Sequence, residues 1–218
     1  MNFDLYKKRL LSYGNDSKES VLNNTKTIIE RSFANSLGYS VVKINNIDTE
    51  VIITEVIINE GKTHKKKKLI LKPDVHFDIG SLVDYNNEKW LVTDKYENQI
   101  SDSLKIELCN SEMIFQTSPT LVLIGTTPWG EEQYEEIPGS TITIPCIVQS
   151  VRELYDGDSE QINVVDTRIA LKIQNQNNEY IAVGKEFEIF NTKYRIYGID
   201  KSQTIKDKGV LIVLAEKL

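Results

Sequence analysis

The sequence predicts a mainly β protein in which an N-terminal helical arm precedes two small β-barrel or meander modules related by an internal repeat. Three observations carry that prediction. The hydrophobic period changes from helical to alternating near Tyr39. From there to the end, β-branched runs such as Val51-Ile52-Ile53-Thr54 are punctuated by Asn, Gly and Asp. One strand-turn-strand pattern then occurs twice, a repeat that has to be recognised before any motif is read.

The arm, residues 1–38, reads helical in two stretches. Phe3, Tyr6, Leu10 and Tyr13 recur at helical spacing beside Lys7, Lys8 and Arg9, and Gly14 is placed to end that segment. Asp16 and Glu19 have the spacing of a capping box. Val21, Leu22, Thr25, Ile28, Ile29, Ser32 and Phe33 then share one face, so a second helix runs to about Asn35.

The first β module is expected over 39–118 and the second over 119–218, with the boundary at Gln116-Thr117-Ser118-Pro119. In the first, residues 39–72 supply strands to the repeat. Asn59 to Lys68 is too polar for core and is expected to be a projecting hairpin loop carrying Lys62, His64, Lys65, Lys66, Lys67 and Lys68.

The repeat itself is Phe77 to Val92 in one copy and Ile181 to Ile196 in the other. Gly80 to Trp90 and Gly184 to Tyr194 have the same spacing, and Asn87 matches Asn191 in the turn. Glycine permits a tight entry, asparagine tolerates a left-handed turn, and the aromatic begins the returning strand. Each copy continues into a final alternating strand, Leu104 to Leu108 or Val210 to Leu214. Three strands alone are marginal, so each copy needs partners. For the second copy these are sought in 120–126, 141–150 and 167–174. Thr126 to Glu136 is read as an acidic excursion and a long loop.

The chain has 218 residues, 40% of them hydrophobic, and a net charge of −6. That composition supports a packed core and argues against general duplex binding, which concentrates Lys and Arg against phosphates. No stretch approaches the roughly 20 apolar residues of a membrane helix, and synthesis and retention in a cytosol are expected. Cys109 and Cys146 lie in strand-like surroundings and are expected to remain thiols there.

Catalysis has little to work with. His64 and His76 are the two histidines, and a triad through His76 would be a spatial arrangement that sequence does not display. Asp74, His76 and Asp78 alternate and would share a face in an extended segment. That arrangement fits metal ligation or, without a further ligand, a solvent-facing edge. Asp156-Gly157-Asp158-Ser159-Glu160 lacks EF-hand spacing and reads as a hairpin turn. There is no P-loop, dinucleotide fingerprint or Cys-x-x-Cys, so no cofactor and no enzymatic activity are expected. Trp90 and Tyr194 fit a base-stacking platform or, at matching positions of two meanders, core and barrel-edge aromatics. The lysine run fits contact with DNA or an acidic neighbour, for which Glu131 to Glu136 is a candidate on the next subunit. It fits equally a solvated hairpin tip that discourages edge pairing.

The pattern Ile181-x-x-Gly184-Lys185-x-Phe187, Tyr194-Arg195-Ile196-x-x-Ile199-Asp200 and Gly209-Val210-Leu211-x-Val213 resembles the small barrel of tailed-phage head-closure, or stopper, proteins. The helix from Thr27 to Ser36 with Glu30-Arg31-Ser32-Phe33 resembles neck proteins of phages of Firmicutes. So do Gly80 to Trp90-Leu91-Val92 and Glu107-Leu108-Cys109-Asn110. The resemblance covers most of the chain. It implies a ring in the virion neck, made in the bacterial cytoplasm and docked below the portal and its adaptor. A loop from each subunit would narrow the channel to retain packaged DNA, and tail-side proteins would bind beneath. By position, Gly61 to Lys68 matches the hairpin that family members extend toward neighbours or the lumen. A duplicated module and an acidic excursion depart from the single barrel of a simple stopper. A tail or baseplate subunit is the alternative within the virion. An OB-like single-strand binder using Trp90 and the lysine run, and a hydrolase through His76, are the alternatives from other classes.

Overall fold

The computed structural model describes residues 17–55, 65–117, 119–126, 128–137, 139–150, 167–176, 178–205 and 207–218. The first expected helix, the capping residue Asp16, Gly61, Lys62, His64 and the Asp156–Glu160 turn lie outside them. The chain divides into two compact units, Met1–Leu108 with Lys208–Val210, and Cys109–Asp207 with Leu211–Leu218.

In the first unit, helix α1 (Ser17–Phe33) has Glu19 in its first turn and Arg31 in its last, each favourable to the helix dipole. Its C-terminal Phe33 is buried, with the Lys72 ammonium 5.7 Å from the ring centroid. Lys26 bonds Asp74 at 2.6 Å. Six antiparallel strands follow: β1 (Tyr39–Ile44), β2 (Ile47–Glu55), β3 (Lys66–Leu71), β4 (Leu82–Tyr85), β5 (Glu88–Tyr96) and β6 (Ser103–Leu108). They close into a barrel in the order β1-β2-β3-β6-β5-β4. Alternation sends Val42, Ile44, Val51, Leu69, Leu71, Val83, Trp90, Val92, Leu104 and Ile106 into its core.

In the second unit, β7 (Ser111–Gln116), β10 (Thr141–Ser150), β11 (Arg168–Gln174), β12 (Glu186–Ile189), β13 (Thr192–Asp200) and β15 (Lys208–Lys217) run β11-β10-β7-β12-β13-β15. The pairing of β11 with β15 closes the circuit, and the short β14 (Thr204–Ile205) adds to β15. The cyclic order is that of the first barrel. The duplication therefore extends beyond the three-stranded meander to all six strands.

Register confirms this residue by residue. Trp90 opposes Val83, as Tyr194 opposes Phe187. A bulge falls between Val92 and Asp94 in one copy and between Ile196 and Gly198 in the other. The Gly80 amide donates to Val92 O and that of Gly184 to Ile196 O, both at 2.8 Å. Both glycines are left-handed, at φ +87° and +88°. The hairpin turns follow suit, with positive φ at Asn86 and Asn87 and at Phe190 and Asn191. Core volumes differ in compensating ways. Val83, Trp90 and Ile106 of the first barrel become Phe187, Tyr194 and Ala215, so bulk added at one strand is removed at others.

Three sequence expectations are corrected. The units divide at Leu108 and Cys109 rather than at 116–119, because β7 pairs with β10 and β12 and is the first strand of the second barrel. Residues 120–126 do not join that barrel. They form β8 (Thr120–Thr126), which pairs with β9 (Glu132–Ile137) in a separate two-stranded sheet. The acidic excursion is thus a hairpin rather than a long loop, with 128–131 at its turn and Glu132, Glu135 and Glu136 in strand β9; its glutamates are compatible with β structure because both ribbon faces are open to water.

Candidate functional site

Of the expected projecting loop, Lys62 and His64 lie outside the described residues, and Lys66, Lys67 and Lys68 belong to strand β3 instead. Lys65 precedes β3 and is exposed, while Lys66, Lys67 and Lys68 are half-buried within the strand. The buried Leu69 and Leu71 fix the register. Alternation then puts Lys67 on the side of Leu69 and Leu71, with its ammonium over the Trp90 ring, and Lys66 and Lys68 on the other side of the strand. Lys66 lies 3.8 Å from the buried Glu107 carboxylate and Lys67 3.9 Å from Glu55. Lys67 also sits 5.9 Å from the Trp90 ring centroid, and Lys68 5.9 Å from that of Tyr96. Lys68 is directly opposite Lys105 on β6, a cross-strand pairing of like charges that disfavours the sheet. The result is a cationic face on β3 and β6, bordered by the half-exposed Tyr96.

Asp74, His76 and Asp78 do not converge. Their segment is irregular rather than extended, and Asp74 has φ +62°. Asp74 bonds Lys26, Asp78 bonds Lys208 at 2.7 Å, and the Nδ1 of His76 lies 2.6 Å from Asp102. Among the described residues no three acidic, histidine or cysteine side chains are grouped to hold a metal.

Asp102 is the centre of a small polar network that sequence reading missed. It is 3% exposed and also receives the Asn98 amide and, at 3.4 Å, the Lys95 ammonium. Burial opposes ionisation, yet the hydrogen bonds from His76, Asn98 and Lys95 hold its carboxyl below the ordinary value. The network fixes the His76 ring on the surface. His76 and Asp102 are 26 residues apart, and no spacing rule connects them.

Trp90 is 1% exposed and packs in the first core, so it offers no platform for bases. Tyr194 is half-buried and stacks on Phe187 with centroids 6.0 Å apart. Gly80 and Gly184 serve the strand entries described above.

The largest departure from ordinary surface chemistry is the β8–β9 ribbon. Leu121, Val122, Leu123 and Ile124 are 40–64% exposed, Tyr134 is 53% exposed and Trp129 at the turn 89%. Alternation places Leu121 and Leu123 on one face and Val122 and Ile124 on the other. Leu121 opposes Glu136 and Val122 opposes Glu135, so each face has an apolar margin and an acidic margin. Glu132 accepts a hydrogen bond from Tyr134. Thr117 and Ser140 bond one another at the base of the ribbon. A continuous apolar run is the usual pattern of a strand covered on both faces. In β8 both faces are open.

The family model for the YomX N-terminal domain matches residues 6–106, and that for the YomX C-terminal domain matches residues 111–216. Each match spans one six-stranded barrel. No curated protein and no solved structure matches the chain.

Proposed function

This chain belongs to the phage-derived YomX family, and from that premise we propose that it is a structural protein of the virion, placed in the neck where head joins tail. Its work there is to assemble as a cyclic homo-oligomer below the portal, bind adaptor and tail-side proteins, and help retain packaged DNA. No reactive residue is required.

The observation that carries this reading is the β8–β9 ribbon. Closing a sheet removes its edges, so recognition falls to what projects from the barrels. A ribbon with apolar side chains on both faces, joined to a closed barrel at one end, is a feature of proteins completed by neighbours. Cyclic assembly uses two different faces of each subunit, and the ribbon and the cationic face of β3 and β6 differ in the required way. The burial of Trp90 disfavours the single-strand-binding alternative.

Electron microscopy of particles from a phage lysate with this gene disrupted tests the reading. Empty or DNA-leaking heads beside complete free tails are expected. Full heads beside malformed tails would assign the protein to the tail instead, and normal particles would remove it from the virion pathway altogether.

A further inference from the structure

We propose that β9 of one copy docks on the cationic face formed by β3 and β6 in the first barrel of a second copy. This inference rests on the ring reading above and specifies its contact. The ribbon supplies the acidic partner. Residues 119–140 contain Glu131, Glu132, Glu135 and Glu136 and no Lys or Arg. Glu135 and Glu136 have no ion pair among the described residues, and both are exposed.

The receiving surface is rich in lysine and has a like-charge pair at its centre. Lys65, Lys68 and Lys105 make no ion pair among the described residues; Lys105 is flanked by Lys68 across one strand pair and by Asp94 across the other. An arriving carboxylate between Lys68 and Lys105 converts a repulsive pair into two attractive ones. Beside them, Lys65, Lys66 and Lys67 line a groove of about 480 Å³. Glu55 and Glu88 also line it, at its margin, so the excess of positive charge is on the side of Lys65 and Lys66. The half-exposed Tyr96 gives the apolar margin of the ribbon a surface to cover.

The docking joins two different patches, so it propagates from copy to copy. It closes as a ring or extends as a filament according to the rotation per step.

The test is charge exchange in the full-length chain, read by sedimentation velocity at low salt. Glu135→Lys with Glu136→Lys reverses the ribbon; Lys68→Glu with Lys105→Glu reverses the face and spares Lys66, whose partner Glu107 is buried. Each reversal alone is expected to weaken self-association at least about tenfold, the loss of one close charge pair. The four-substitution chain is expected to recover it, and circular dichroism verifies that each variant is folded. If the wild-type chain associates but the single reversals leave association unchanged, or the exchanged chain does not recover it, this contact is wrong and the ring reading stands. If the wild-type chain remains monomeric at every concentration and is absent from virions, both fall. If reversing the lysines alters only DNA affinity and not association, the face belongs to DNA and the proposal is overturned.

Discussion

Asp102 shows how a single buried side chain organises the surface above it. It accepts from His76, Lys95 and the Asn98 amide while almost fully enclosed. Asp102→Ala leaves those donors without their acceptor and is expected to cost about 2–3 kcal/mol in urea unfolding. The pH dependence follows from the lowered folded-state pKa. The unfolded state takes up the proton first. The contribution is therefore complete above the unfolded value near 3.8 and is lost as pH falls through the lower folded value. Asp102→Ala should remove that part of the acid sensitivity. Cys146 gives the opposite case. Burial pushes its thiol up, and its place in the second core is that of Val51 in the first. Cys146→Val is expected to change stability by less than about 1.5 kcal/mol in the same assay. Neither role was legible beforehand: the partners of Asp102 come from elsewhere in the chain, and Cys146 was recognised only as strand-like.

At the scale of the element, the repeated meander is the part the sequence displayed most openly, because its glycine, turn asparagine and aromatic are fixed by backbone requirements. The structure makes it a matched experiment. Gly80 and Gly184 have nearly the same φ, yet a Cβ at Gly80 would lie 1.9 Å from the Gly209 carbonyl oxygen, whereas one at Gly184 meets nothing within 4 Å. Gly184→Ala is expected to cost about 1–2 kcal/mol from conformation alone, and Gly80→Ala distinctly more, by thermal unfolding. The turns differ too. Phe190, 65% exposed, occupies the left-handed position held by Asn86 in the first copy. Phe190→Asn is expected to stabilise by roughly 0.5–1 kcal/mol, and a fall in Tm would show that the exposed ring has a partner in the folded chain. The first three strands of each barrel hid their kinship because they share only inward positions, such as Val42 with Met113 and Ile44 with Phe115. Polarity misled at β3 and β9, where lysines and glutamates lie in strands with water on at least one side.

At the scale of the whole molecule, each barrel has its own core, and the ribbon belongs to neither. Replacing 119–137 with a short Gly-Ser link should leave thermal unfolding within a few degrees of wild type and abolish association in sedimentation. The bonding of Thr117 to Ser140 already closes the base. The sequence suggested 120–126 as a strand of the second barrel and the glutamates as a candidate partner surface. It did not show that the two lie side by side in one ribbon, since that depends on the pairing of Thr120–Thr126 with Glu132–Ile137.

The position of that ribbon in the chain has one more consequence. It is inserted between the first and second strands of its barrel, where the other barrel has only the two-residue turn Asn45-Asn46. One architecture therefore accepts either a minimal turn or an arm of some twenty residues at the same corner. That corner is a cassette port: a strand pair, an epitope or a tag grafted at Asn45-Asn46 enters a scaffold whose sister barrel already carries one.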